Sequence, residues 1–156
     1  MARATRRKAR EIALQSLYWV ISTGDSVDVV VDEMAMRSRL PPETKTFVLD
    51  LCRKTAENRA RFEAMIARTA ENWDLSRMAR VDRIILFIAL TEFFFFDDIP
   101  FRVSINEAIE LGKRFGGDKS GAFINGLLHT LASQEEIVTC RSISVKAEED
   151  ADRGDL

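Results

Sequence analysis

The chain is poor in the residues from which catalytic and metal centres are usually built. It has one histidine, His129, and two cysteines, Cys52 and Cys140. Two cysteines make neither a disulfide framework nor a four-ligand metal site. Cys52 lies in an apolar helical pattern that assigns it to the core, and a lone histidine is far more often structural than catalytic. No nucleophile–base pair and no metal-ligand spacing is present, so neither an enzyme nor a cofactor is expected. Long apolar runs are missing as well. The longest, Ile84 to Phe96, is interrupted by Thr91 and Glu92 and is too short to span a bilayer. The opening residues lack the apolar stretch of a secretory signal. A reducing, cytoplasmic setting without a membrane partner is therefore the expectation. No stretch alternates with a strand period and no segment repeats at a fixed spacing. Without strands there is no glycine-rich phosphate loop of the strand-to-helix kind.

What the chain does have is a soluble, helical make-up with an uneven charge. Its 156 residues, 46% hydrophobic and 31% charged, suit one domain or two small subdomains sharing a core. The formal net charge of −2 hides an asymmetry. Residues 1–10 carry Arg3, Arg6, Arg7, Lys8 and Arg10 and no acid. Residues 133–156 set seven acids against Arg141, Lys146 and Arg153. Such polarity points to a basic surface for an anionic partner and an acidic tail.

Helical periodicity covers most of the length. Over residues 5–22, Ala9, Ile12, Ala13, Ser16, Leu17 and Val20 recur at three and four, and Arg6, Arg10 and Gln15 fall largely off that face. Gly24-Asp25 ends this helix. A shorter one follows over 26–38, and Leu40-Pro41-Pro42 breaks the chain where a proline suits a helix start. The pattern over 43–72, with Phe47, Leu51, Ala56, Phe62, Met65, Ile66 and Thr69 inward, is one helix or two, with Asn58 as the weak point. Trp73 to Ser76 reads as a turn capped by Asp74 or Ser76. A very apolar helix occupies 77–97, and Asp97-Asp98-Ile99-Pro100 stops it. Ser104-Ile-Asn-Glu107 has the form of a capping box that opens a helix ending at Gly116-Gly117. Asp118 or Ser120 caps the last helix, to about residue 134, and the acidic stretch 135–156 is expected to be disordered. Six or seven helices with short connections predict an all-α bundle.

The basic cluster is the first functional signal. Positive charge at a helix N-terminus opposes the helix dipole, so local helix stability does not explain it, and phosphates would. Tyr18, Phe115 and Phe123 supply rings that could stack unpaired bases. Phe93-Phe-Phe-Phe96 is a second signal. Four consecutive helical residues sweep nearly the whole circumference, so they cannot all face one core. A protein or homodimer contact for at least one of them is the expectation.

The order of motifs adds a resemblance. Arg6-Arg-Lys-Ala-Arg-Glu11 with Gln15-Ser-Leu-Tyr18 comes first, then Val81-Asp-Arg-Ile-Ile-Leu86 with Ala89-Leu-Thr-Glu92. Asp98-Ile-Pro100 follows, and then Ile105-Asn-Glu-Ala-Ile-Glu-Leu111 through Phe123-Ile-Asn-Gly126. In this order and spacing, from about Arg3 to Ala132, they resemble the NusB family of bacterial transcription antitermination factors. The resemblance implies a NusB-like bundle of two packed three-helix subdomains, with residues 1–134 as the RNA-binding domain. It implies binding of boxA, a single-stranded RNA element of ribosomal RNA leaders, together with the ribosomal protein NusE in a complex on RNA polymerase. By carry-over, Arg6, Arg7, Arg10 and Gln15 match the family's RNA-contacting first helix, with Arg3 and Lys8 in the same cluster. Phe115, Lys119 and Phe123 match the region that completes the RNA site. Asp82 and Phe101 match the NusE-facing side, and the aromatic helix adds Phe87, Glu92 and Phe96 to that partner surface. The chain departs from the family pattern at Phe87, where an arginine is usual, and at Phe93 to Phe96. It also departs at Ala122, where a lysine is usual, at Lys119, where an acid is common, and in a longer acidic tail. Two other readings stand beside this one. One is a homodimeric helical interaction protein with weakened RNA binding. The other is a stand-alone relative of the RNA-binding domain of ribosomal RNA cytosine methyltransferases, without the glycine-rich loop and catalytic cysteine.

Overall fold

A computed structural model describes residues 3–70 and 75–142, with residues 3 and 4 described by their backbone alone. Among the described residues all regular structure is helical. Seven α-helices follow in order: α1 (Arg3–Thr23), α2 (Val27–Arg37), α3 (Pro42–Glu57), α4 (Arg59–Thr69), α5 (Arg80–Phe95), α6 (Phe101–Phe115) and α7 (Ser120–Ala132). A 3-10 turn at Leu75–Arg77 precedes α5, and residues 135–142 are helical again. The all-α expectation holds, with slightly more helices than foreseen.

Helices α1, α2 and α3 pack on one another, and α4 to α7 form a second group. The second group has four helices rather than three. Helix α5 joins the two groups by touching α1, α3, α4, α6 and α7. That position explains its composition. A helix apolar on all sides must be enclosed on all sides, and every residue from Ile84 to Phe94 is buried. The four phenylalanines are thereby largely accounted for within the chain. Phe93 meets Phe101 edge-on with ring centroids 4.8 Å apart, Phe94 stacks on Phe62 at 6.0 Å, and Phe96 meets Phe47 at 5.5 Å. Only Phe95, at 41% exposure, faces outward among the four.

The chain's own punctuation sets the helix ends. Gly24 adopts φ 79°, a conformation open to glycine, and its N–H donates to the Val20 carbonyl at 2.8 Å, closing α1. Pro42 stands in the first turn of α3. The long pattern over 43–72 splits at Asn58, whose side-chain amide donates to the Lys54 carbonyl at 2.8 Å. Ala56, assigned inward on periodicity, is exposed. Trp73 and Asp74 lie outside the described residues, and α5 begins at Arg80 rather than 77.

Three local expectations are overturned. Helix α6 opens at Phe101, behind Pro100, so Ser104 and Glu107 are inside it and form no capping box. Both side chains reach other helices instead: Ser104 donates to Glu92 at 2.8 Å, and Glu107 accepts from Arg7. The cap of α7 is Lys119, with no side-chain bond; neither Asp118 nor Ser120 caps it. The Ser120 hydroxyl accepts from the Gly117 N–H at 2.9 Å, bracing the α6–α7 turn. The expected disorder from residue 135 fails for residues 135–142. Ile137 is fully buried there, and Glu136 pairs with Arg68 at 2.8 Å and Arg61 at 3.6 Å on α4. The acidic composition concealed a segment in which Glu136 and Arg141 have partners. The remainder of the expected tail lies outside the described residues.

Candidate nucleic-acid interface

Helix α1 is buried on two sides, because α2 and α3 take one flank while α5 takes another. Its apolar stripe does not fill the second flank, and polar residues enter it in pairs. Arg10 is 2% exposed and grips Glu92 of α5 with two bonds, Nε to Oε2 at 2.8 Å and Nη2 to Oε1 at 2.9 Å. Arg10 was expected off the buried face, available to phosphate; the structure withdraws it from the RNA set. Glu92 is withdrawn from the partner surface for the same reason, and Phe87 because it is 1% exposed in the core. Burial is affordable for both charges only because each satisfies the other.

The other α1 cations with described side chains lie at the surface and are also paired. Arg7 binds Glu107 of α6 in a fork, Nε to Oε2 at 2.9 Å and Nη2 to Oε1 at 3.0 Å. The hydrogen-bonded carboxylate raises the Arg7 guanidinium above its ordinary pKa. Arg6 donates to Asp98 at 3.0 Å and lies over the Phe47 ring at 5.1 Å. Lys8 stands 3.8 Å from Glu11. Glu11 in turn accepts from Arg114 of α6 at 2.6 Å, and that guanidinium lies 5.3 Å from the centre of the Phe115 ring. The Arg3 side chain lies outside the described residues.

These pairs align α6 along α1: Glu107 beside Arg7, then Arg114 beside Glu11. Gln15, exposed, continues the same stripe one turn beyond Glu11. The result is a seam of alternating charge in which each arginine has used only part of its donor fork. A guanidinium has five N–H donors, and Arg7, with 43% of its side chain exposed, uses two on Glu107. Arg114 belongs to this seam and was missed in the sequence. The available signal was its place in Lys113-Arg114-Phe115, a basic and aromatic helix end.

Beyond Phe115 the chain turns through Gly116 to Lys119, and the turn borders a cavity of about 640 Å³. Its lining includes Arg77, Met78, Asp82, Lys119, Ala122 and Phe123. Phe115 and Phe123 are half-buried and Lys119 is exposed. Asp82, assigned to the partner side, lines the same cavity as Lys119 and Phe123. Of the remaining partner-side candidates, Phe96 is buried against Phe47. Phe101 is half-buried, held by Phe93 and by the Arg141 guanidinium 4.2 Å from its ring centre.

Among the described residues no group of three or more His, Cys, Asp or Glu could hold a metal ion, and no helix is long and apolar enough to cross a membrane. Cys52 is fully buried, and burial pushes its thiol pKa up. His129 is exposed near the end of α7.

Comparison with known proteins agrees with this architecture. The model of the NusB family matches residues 7–133. Transcription antitermination protein NusB of Bacillus licheniformis is 44% identical over 131 residues, covering 84% of this chain and 98% of that protein. The protein of the same name from Bacillus subtilis is 41% identical over 131 residues, covering 84% and 97%. Among solved structures, T. maritima NusB superimposes with a TM-score of 0.75 at 30% identity, over 86% of this chain and 96% of that one. A chain from a crystal of the antitermination factors NusB and NusE with double-stranded RNA gives a TM-score of 0.74 over 83% and 97%, and at 18% identity shows the shared fold alone.

Proposed function

Because the chain belongs to the NusB family, we propose that it is a transcription antitermination factor. In this reading it binds boxA-type single-stranded RNA of ribosomal RNA leader transcripts together with ribosomal protein NusE. It acts as a non-catalytic scaffold on RNA polymerase in the cytoplasm. The observation that carries the reading is the seam of half-engaged cations, Arg6, Arg7, Lys8 and Arg114, continued by Phe115 and Lys119 to a cavity bordered by Phe123.

The physical roles divide in the usual way for RNA. Cations hold phosphates and fix register, while rings and polar groups hold unstacked bases. Arg6, Arg7 and Lys8 take the phosphates, with Arg3 in the same cluster. Glu107 and Glu11 orient two of the guanidinium planes and leave their outer N–H groups for the backbone. Gln15 extends the track along α1. Phe115 and Phe123 supply stacking faces, and Lys119 adds charge at the turn. NusE takes a separate surface that includes the exposed part of Phe101. Holding both partners raises the effective concentration of each, so modest individual affinities suffice.

Fluorescence anisotropy of a boxA-like RNA, with and without NusE and against a scrambled RNA, tests the reading. Tighter, sequence-dependent binding with NusE is the expected result. Arg7→Ala should reduce the salt slope by about one unit. Binding indifferent to sequence and to NusE would overturn the proposal.

A further inference from the structure

The cavity beside the α6–α7 turn contains a charge that the fold does not explain. Asp82 is 8% exposed, and among the described residues its Oδ1 has no hydrogen-bond partner. It makes no ion pair among the described residues, although Arg77 and Lys119 line the same cavity. Buried carboxylates are normally paired, because an unpartnered one loses its hydration without compensation. Asp82 lies in the first turn of α5, where the helix dipole favours an acid. An exposed acid would serve the dipole equally well, so the dipole accounts for the residue type and not for its burial.

The surroundings suit a planar ligand. Phe123 offers a ring, Met78, Ala79 and Ala122 give apolar walls, and Lys119 adds positive charge. A volume of about 640 Å³ is in the range of small-molecule pockets. The terminal torsion of an aspartate is soft, so Oδ1 can turn toward an occupant.

We propose that this cavity receives one unstacked guanine base of the bound RNA, with Asp82 as the residue that reads it. An ionised carboxylate only accepts hydrogen bonds, through two oxygens side by side. Of the four RNA bases, guanine alone presents two adjacent N–H donors, N1–H and N2–H, on its Watson–Crick edge. Adenine, cytosine and uracil each set a lone-pair atom against the second oxygen. Phe123 stacks on the base face, and Lys119 holds a flanking phosphate. The inference rests on the RNA-binding reading above and adds a base preference to it.

Anisotropy with labelled oligouridines of roughly ten nucleotides, one unsubstituted, one with a single central guanosine and one with a single central adenosine, tests it. The wild-type protein should prefer the guanosine oligomer by roughly tenfold, the discrimination of a good two-bond base contact. Asp82→Asn replaces one acceptor with a donor. It should remove the advantage of the guanosine oligomer over the other two. Ala122→Leu, on the exposed helix surface at the cavity wall, should abolish the same preference by occupying the space, which guards against a folding defect in Asp82→Asn. Equal wild-type affinity for the three oligomers would overturn the proposal. So would a guanosine preference that survives Asp82→Asn, although RNA binding itself would then stand. Loss of NusE-dependent tightening in Asp82→Asn, with guanosine preference intact, would move Asp82 to the protein partner. Failure of every RNA to bind would remove both this inference and the functional reading.

Discussion

Arg10→Ala is the sharpest perturbation of this fold. The Arg10–Glu92 pair joins α1 to α5 with bonds of 2.8 and 2.9 Å, and the two side chains are 3% and 1% exposed. Removing the guanidinium leaves a carboxylate inside the protein with the Ser104 hydroxyl, at 2.8 Å, as its remaining side-chain donor. Breaking one side of a buried pair costs about 3–5 kcal/mol. The Ser104 bond retains part of the compensation, so the lower end, about 3–4 kcal/mol, is expected. Against a total stability of about 5–15 kcal/mol, the variant should be visibly compromised. In urea, with a slope near 2 kcal/mol per molar, the unfolding midpoint should fall by about 1.5–2 M.

Arg10→Met with Glu92→Met removes both charges and replaces them with flexible apolar side chains. It should recover most of the loss, since the two desolvation penalties vanish together. A loss below about 1 kcal/mol for Arg10→Ala would refute the buried-pair reasoning. The same variants separate structure from RNA contact. Arg10→Met with Glu92→Met should leave the salt slope of RNA binding unchanged, whereas a fall of about one unit would return Arg10 to the phosphate track.

Two further outcomes follow from the packing. Deleting residues 135–156 should lower stability by roughly 3–6 kcal/mol, with about 1.5–3 kcal/mol from burying one isoleucine and about 1.5–3 kcal/mol from anchoring one charged guanidinium, its carbonyl bonds counted together. The basis is Ile137, fully buried, and Arg141, whose guanidinium donates to the carbonyls of Glu92, Phe93 and Phe96 at 3.0–3.3 Å. Calorimetry would check it; an unchanged melting temperature would show that the segment does not pack in solution. Gly116→Ala should cost about 1–3 kcal/mol in urea unfolding, because its Cβ would run into the Ser120 side chain and lie 2.7 Å from the Gly112 carbonyl oxygen. Wild-type stability in that variant would mean that the α6–α7 turn yields easily.

The helices were legible because their signals are local. Gly24, Asn58 and the prolines mark ends that need no knowledge of the tertiary fold. The role of Ser104 and Glu107 was not legible for the opposite reason. Their spacing fits a capping box, but Glu92 and Arg7 compete for the two side chains from other helices, and these charge-assisted bonds are stronger than a cap. Arg10 was misplaced by the same blindness. One stripe of apolar residues predicts one buried face, and nothing in residues 1–22 reveals that α5 covers a second. The phenylalanine run was read correctly as too wide for a single core face. What periodicity could not supply was the number of helices around α5, which lets three of four rings turn inward.

The pairing of the α1 cations alters what the charge asymmetry means. Counted along the chain, the first ten residues are a naked basic patch; folded, Arg6, Arg7 and Arg10 each face an acid from a segment 82–100 positions away. A free arginine would bind any phosphate in any orientation. One held by Glu107 presents its remaining N–H groups in one direction, with less side-chain freedom left to lose when RNA arrives. The acids therefore weaken the long-range attraction and sharpen the geometry. Attraction that is short-ranged and directional favours a strand whose phosphates follow the α1–α6 seam over an arbitrary polyanion. Under the proposed function, that is the discrimination required to find one short element among long transcripts of identical backbone charge.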